Sequence, residues 1–116
     1  MSRASDRAYL EHISDAIVKV QASAAAGEAA FLADPDAFDA ALRRLQTVAE
    51  STQRLSDELK ARHPEVRWNA LAGFRNRIVH AYMDVDPGLI WRFIESDLDP
   101  LKRLADRELG RPDDPK

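Results

Sequence analysis

Cysteine is absent from the 116-residue chain, and only four residues are glycine. Without cysteine the protein has no disulfide framework, no thiolate zinc site and no cysteine nucleophile. No apolar run approaches the roughly 20 residues that cross a bilayer, and the chain has neither a glycine-rich phosphate loop nor a Gly-x-Ser-x-Gly element. The three histidines lack the spacing of metal ligands, and we expect His12 and His63 to be exposed to solvent. We therefore expect no metal site and no cofactor.

What is present is typical of one ordinary domain, with 45% hydrophobic and 32% charged residues. We expect residues 1–110 to form a single helical domain and residues 111–116 to form a flexible tail. The first sixteen residues carry charges where a signal peptide needs an apolar stretch. The expected location is therefore the cytoplasm, with no membrane association.

The charge is unevenly distributed along the chain. The net charge of −3 argues against a general nucleic-acid coat, which would be basic overall. Between residues 62 and 80, however, four arginines are opposed only by Glu65. A basic island in an acidic chain favours one confined anion site, although a solvated charged face is the commoner explanation of such a cluster.

Four segments show the apolar period of a helix, and none shows the alternation of a strand. We predict helices over Ser5–Ala26, Pro35–Arg62, Arg67–Met83 and Leu89–Leu109, the last with a kink or a break at Pro100. Asp34 is the expected N-cap of the second helix. The predicted fold is an all-α, antiparallel up-and-down bundle of four helices, or of five.

The third helix carries the residues that suggest chemistry. Leu71, Phe74 and Ile78 share its core-facing arc with Ala81 and the ring of Tyr82, while Arg75, Asn76 and His80 fall on the other side. Arginine offers a planar fork of donors to a phosphodiester, and histidine exchanges a proton near neutral pH. Because RNA supplies its own 2′-hydroxyl nucleophile, this pair would suffice for a metal-free ribonuclease. Two simpler explanations stay open: Arg75 pairs with a carboxylate such as Glu50, and His80 is a satisfied interfacial histidine.

A family resemblance adds to this interpretation. The run WNALAGFRNRIVHAY at positions 68–82 resembles the signature of the HEPN superfamily, and more narrowly of the HepT-like ribonuclease toxins, with its Arg-Asn-x3-His-x-Tyr pattern. Upstream, Val48-Ala49-Glu50 resembles a family element that usually reads Gly-Glu-Ala. The resemblance implies a HEPN-like bundle that forms a homodimer, with the two Arg-x4-His motifs meeting in one cleft.

The resemblance also implies roles for individual residues. Arg75 would bind the scissile phosphate, His80 would act as general base or acid, and Asn76 would orient the histidine or the phosphate. Glu50 and Arg77 are candidate supporting residues. Cleavage of RNA, for which tRNA is one candidate, would leave a 2′,3′-cyclic phosphate without a metal.

A protein partner is implied as well. HepT-like toxins are commonly paired with a nucleotidyltransferase antitoxin of the MntA type, which transfers AMP to the tyrosine that corresponds to Tyr82. Two other functions stay open: a non-catalytic HEPN module that binds nucleotides or a nucleotidyltransferase partner, and a plain dimeric helical scaffold. We also expect Gly73 to permit the close approach of a partner helix, because glycine within a helix costs about 1 kcal/mol against alanine.

Overall fold

The computed structural model describes residues 3–80 and 86–111, and the regular structure within them is entirely helical. The predicted all-α fold class is therefore confirmed. The helices are α1 (Arg3–Ser23), α2 (Glu28–Leu32), α3 (Pro35–Gln53), α4 (Asp57–Arg62), α5 (Trp68–His80), α6 (Pro87–Ser96) and α7 (Leu98–Leu109). In this part of the chain, no helix is both long enough and apolar enough to span a membrane.

Side-chain contacts between α1 and α7 show that the two helices run in opposite directions. Ser14 donates a 2.7 Å hydrogen bond to Asp106, and Gln21 donates a 3.0 Å hydrogen bond to Asp99. Since residue numbers rise along one helix as they fall along the other, the pair is antiparallel.

The same relation holds between α3 and α5. Arg75 contacts Glu50, while the backbone carbonyl of Ile78 accepts a 3.5 Å hydrogen bond from Gln46, one turn earlier on α3. The antiparallel pairing determines which residues of α3 face α5, and it thereby positions Glu50 beside the sequence motif.

One continuous core holds the bundle together. The largest fully buried side chains come from most of the helices, as expected when each amphipathic helix buries one stripe: Phe31, Ile13, Ile17, Leu45, Leu59, Ile78, Ile90, Leu98, Leu101 and Leu104. The periodic apolar positions of the sequence therefore form the core.

The second predicted helix is shorter than expected, because it breaks after Gln53 and restarts at Asp57. The restart is capped by Ser56, whose hydroxyl accepts the backbone N–H of Leu59 at 3.1 Å. The buried carboxylate of Asp6 in turn accepts the Ser56 N–H at 2.9 Å and its hydroxyl at 2.6 Å. A contact fifty residues away in sequence thus stabilises a break that the apolar period does not reveal.

The fourth predicted helix also divides in two, but at Asp97 rather than at Pro100. Pro100 lies in the first turn of α7, where its missing N–H has no intrahelical partner to lose. The expected linker before Asp34 contains the short helix α2, whose Phe31 packs against Phe38 and Trp91 with ring centroids 5.8 and 5.6 Å away.

The carboxyl end of α7 is fixed by Arg111. Its backbone N–H donates a 2.8 Å hydrogen bond to the carbonyl of Asp106, and its guanidinium lies 3.3 Å from Asp15. Residues 112–116 lie outside the described residues, so the flexible tail stays a prediction, as does the extent of the domain.

Candidate functional site

Helix α5 is oriented by its apolar stripe. Leu71, Phe74 and Ile78 are buried, as predicted, at the spacing of three and four residues that marks one helical face. The ring of Phe74 stacks on Phe93 of α6 with centroids 3.8 Å apart and planes 4° apart. Burying this stripe turns the opposite face of α5 outward.

Arg75 lies on the flank of α5 that faces α3, and it pairs with Glu50. Its Nε donates a 3.1 Å hydrogen bond to Glu50 Oε2, and its Nη2 lies 2.9 Å from the same oxygen. Its Nη1 donates a 3.2 Å hydrogen bond to Oδ1 of Asn76. The ion pair that the sequence left open as a simpler explanation is therefore present.

The ion pair with Glu50 does not use all the hydrogen-bond donors of the Arg75 guanidinium. Arginine carries five N–H donors, and each of the three nitrogens of Arg75 makes one contact. Two of its N–H groups therefore have no partner within residues 3–80 and 86–111. The side chains of Arg75 and Glu50 are 33% and 41% exposed. An anion can therefore reach Arg75 while Glu50 and Asn76 hold its plane.

His80 is the last described residue of α5. Five helical residues after Arg75, it lies about 7.5 Å further along the axis and about 140° around it. Tyr82, the predicted modification site, lies outside the described residues together with Ala81. The structure thus brings Arg75, Asn76 and Glu50 together and places His80 on the same helix.

Arg77 lies on the other flank of α5. It lines a groove of about 430 Å³ between α5 and α6, together with Arg92 of α6. Ala70 and Gly73 form the low α5 wall of this groove, and a Cβ built on Gly73 meets nothing within 4 Å. Within the described part of the chain, no other helix lies close to Gly73. Gly73 therefore does not serve to bring two helices of the same protomer together.

This groove was not predicted from the sequence, although the sequence carries a signal for it. Ala70, Gly73 and Arg77 recur at i, i+3 and i+7 on α5, and Leu89, Arg92 and Ser96 recur at the same spacing on α6. Two such stripes beside a shared buried pair indicate a groove between two helices.

His63 is buried rather than exposed, so the expectation for this histidine was wrong, whereas His12 is exposed as expected. Nδ1 of His63 lies 3.1 Å from Glu65, and Nε2 lies 2.6 Å from Glu108 of α7. Burial raises the pKa of Glu108, but hydrogen bonds from His63 and Arg62 outweigh burial and hold that pKa below its usual value. The cluster joins the end of α4 to α7 and is a structural feature of the bundle.

Residues 3–80 and 86–111 do not form a metal-binding cluster. No set of three or more histidine, aspartate or glutamate side chains is placed there to hold one. The chemistry that these residues support is the binding of an anion by Arg75 on one flank of α5 and by Arg77 and Arg92 on the other.

Comparison with known proteins assigns this helical arrangement to a family. The model of the family described as "Ribonuclease HepT-like" matches residues 13–108. A protein of Thermococcus cleftensis named "Probable ribonuclease HepT" is 30% identical over 99 residues, which cover 84% of this chain and 90% of that protein. A protein of Caldanaerobacter subterraneus subsp. tengcongensis named as a "Putative RNase" is 29% identical over 98 residues, which cover 84% of this chain and 88% of that protein. No solved structure matches the chain significantly.

Proposed function

Because the chain belongs to the HepT-like ribonuclease family, we propose that it is a metal-independent endoribonuclease in which Arg75 and His80 act on the scissile phosphodiester of RNA. The family membership supports ribonuclease activity. The roles of Arg75 and His80 are part of the proposal, and the environment of Arg75 on α5 supports them.

The observation that carries the proposal is the orientation of Arg75. Glu50 and Asn76 fix the plane of its guanidinium, and two N–H groups have no partner in the part of the chain that the structure describes. A planar donor pair held in place matches two oxygens of a phosphate. Preorganised donors stabilise the charge that develops on phosphorus-bound oxygens without having to reorganise during the reaction.

The reaction needs no nucleophile from the protein. His80 removes the proton from the 2′-hydroxyl of RNA, and the 2′-oxygen forms a bond to phosphorus. The bond between phosphorus and the 5′-oxygen breaks, and that oxygen takes a proton. The products are a 2′,3′-cyclic phosphate and a 5′-hydroxyl, with Arg75 on the non-bridging oxygens throughout.

A homodimer would complete the cleft. Asn69 and Asn76 are exposed on the outward face of α5, and we place a second copy of the chain against this face. Two Arg75–His80 sets then line one composite cleft, which doubles the local positive charge. This explains how a chain with a net charge of −3 holds a polyanion.

Regulation would act through Tyr82, which follows Arg75 by seven residues in the sequence, the spacing of about two helical turns. AMP attached to Tyr82 by an MntA-type nucleotidyltransferase antitoxin would bring an anionic group to the Arg75 site and repel RNA. The chain would then be the toxin of a toxin–antitoxin pair.

The test is a cleavage assay on bulk tRNA in EDTA with antitoxin-free protein. We expect cleavage that leaves cyclic phosphate ends, and its loss in Arg75→Ala and His80→Ala. His12→Ala is the matched control, because His12 is an exposed histidine on α1. RNA or nucleotide binding that requires Arg75 without cleavage would instead establish the non-catalytic module. Intact mass spectrometry checks beforehand that Tyr82 carries no AMP.

A further inference from the structure

The groove between α5 and α6 carries positive charge that the proposed reaction does not use. Arg77 and Arg92 line it from opposite helices, and both are exposed. Neither contacts an acidic group among residues 3–80 and 86–111. Two arginines that have no acidic partner within the described residues, on facing walls of one groove, favour the binding of a polyanion.

A third arginine at the groove is restrained. Arg67 lies 2.8 Å from Asp97, whose side chain is only 16% exposed, while Arg67 itself is 66% exposed. The hydrogen bond from Arg67 to Asp97 also holds its guanidinium at the rim. The negative charge of Asp97 therefore offsets one of the three arginines and lowers the affinity of the groove for anions.

The shape of the groove suits a backbone rather than a base. Its floor is the stacked pair Phe74 and Phe93, and both rings are 5% exposed. Because each ring covers one face of the other and both residues are buried, they offer no accessible face to a nucleobase. The small residues Ala70 and Gly73 keep the wall low, so a chain of sugars and phosphates can lie close to α5.

We infer that this groove binds the sugar–phosphate backbone of single-stranded RNA on the flank of α5 opposite to Arg75, through Arg77 and Arg92. The inference rests on the proposed ribonuclease function and adds to it the path that the strand takes away from the cleft. Because the contacts go to phosphates, binding in the groove is tolerant of sequence.

The test measures binding apart from cleavage. Fluorescence anisotropy is recorded with a labelled single-stranded RNA that is 2′-O-methylated at every position, so it has no nucleophile. The variant Arg77→Gln/Arg92→Gln is compared with Arg7→Gln/Arg103→Gln, which removes the same charge from exposed positions on α1 and α7. We expect the groove variant to bind about tenfold more weakly and its salt slope to fall by about 1.4, at about 0.7 per phosphate contact on a single strand.

Two further variants separate charge from shape. Asp97→Asn removes the charge that restrains Arg67, and we expect it to bind the same RNA about threefold more tightly. Gly73→Leu fills the groove without changing its charge and favours the helix, and we expect it to weaken binding. In cleavage assays we expect the variant Arg77→Gln/Arg92→Gln to raise KM and to leave kcat nearly unchanged.

The outcomes distinguish this inference from the proposed function. Arg77- and Arg92-dependent binding by a protein that cleaves no RNA would support the groove and overturn the ribonuclease. If the groove variant and its control cleave RNA with equal KM, the inference that the groove binds RNA is refuted and the ribonuclease function is not. If Gly73→Leu turns a dimer into monomers while Arg77→Gln/Arg92→Gln binds RNA normally, a second copy of the chain occupies the groove and the inference fails.

Discussion

Replacing Glu50 by glutamine tests how the ion pair with Arg75 acts on RNA. Glu50 Oε2 lies 2.9 Å from Nη2 of Arg75, and the remaining N–H donors of the guanidinium are those that would bind a phosphate. A phosphate bound by those donors would lie about 6 Å from the carboxylate. At that separation, Coulomb's law gives a repulsion of about 0.7 kcal/mol in water and about 2.8 kcal/mol at an effective dielectric constant of 20.

The exposure of the pair decides between these values. The side chains of Arg75 and Glu50 are 33% and 41% exposed, so the repulsion lies near the value for water. At about 1 kcal/mol, its removal tightens RNA binding about fivefold. Glutamine keeps an oxygen that accepts the hydrogen bond from Nε, so Arg75 stays oriented and kcat changes little.

The assay uses the same fully 2′-O-methylated RNA, with Glu11→Gln as the matched control. Glu11 forms an exposed ion pair with Arg7 at 3.5 Å on α1, so this variant removes an equal charge from a different helix. Glu50→Ala removes the orienting acceptor as well, and we expect it to lower kcat. Weaker binding by Glu50→Gln than by Glu11→Gln would refute the reasoning, because Glu50 would then assist the binding of phosphate rather than oppose it.

Three further predictions concern the bundle that carries the site. Asp106→Ala should lower the free energy of unfolding in urea by about 3 kcal/mol, because it leaves Ser14 and Lys102 without their buried partner; a loss below about 1 kcal/mol would contradict this. Burial raises the pKa of Asp106, but hydrogen bonds from Lys102 and Ser14 lower that pKa by more than burial raises it. In the folded protein the pKa values of Asp106 and Glu108 therefore both lie below the usual values. The two carboxylates therefore contribute their full stabilisation above the unfolded pKa of about 4.3, and this stabilisation is lost as the pH falls through their folded pKa values. Tm should accordingly decrease when the pH is lowered below about 4.5. The variant Glu108→Gln should show a smaller decrease. Gly73→Ala should stabilise the chain by about 1 kcal/mol, since its Cβ meets nothing within 4 Å; a lower midpoint in urea would show that the position is crowded.

The sequence predicts those features of the fold that depend on neighbours along the chain. Asp34 caps α3 as expected, accepting the backbone N–H groups of Asp36 and Ala37 at 3.1 and 3.2 Å. The apolar period identifies the buried stripe of α5 because a helix buries one face whichever partner covers it.

Features that depend on distant residues could not be predicted in the same way. The break before Ser56 relies on Asp6, fifty residues earlier, and the burial of His63 relies on Glu108, forty-five residues later. The pair of Arg75 with Glu50 was one of several possibilities until the antiparallel register of α3 and α5 was known. The apolar period of a sequence shows which face of a helix is buried, whereas the contacts between two helices depend on their relative register.

The register also gives the two arginines of the motif different environments. Arg75 and Arg77 are two residues apart, so they point about 200° apart around α5 and lie on opposite flanks. Arg75 is fixed by Glu50 and Asn76, whereas Arg77 has no acidic partner among the described residues. A restrained donor suits a phosphate that must hold one geometry during reaction, and an unrestrained one suits a flexible strand whose phosphates vary in position. The same short stretch of helix can therefore orient the scissile bond on one flank and hold the departing RNA on the other.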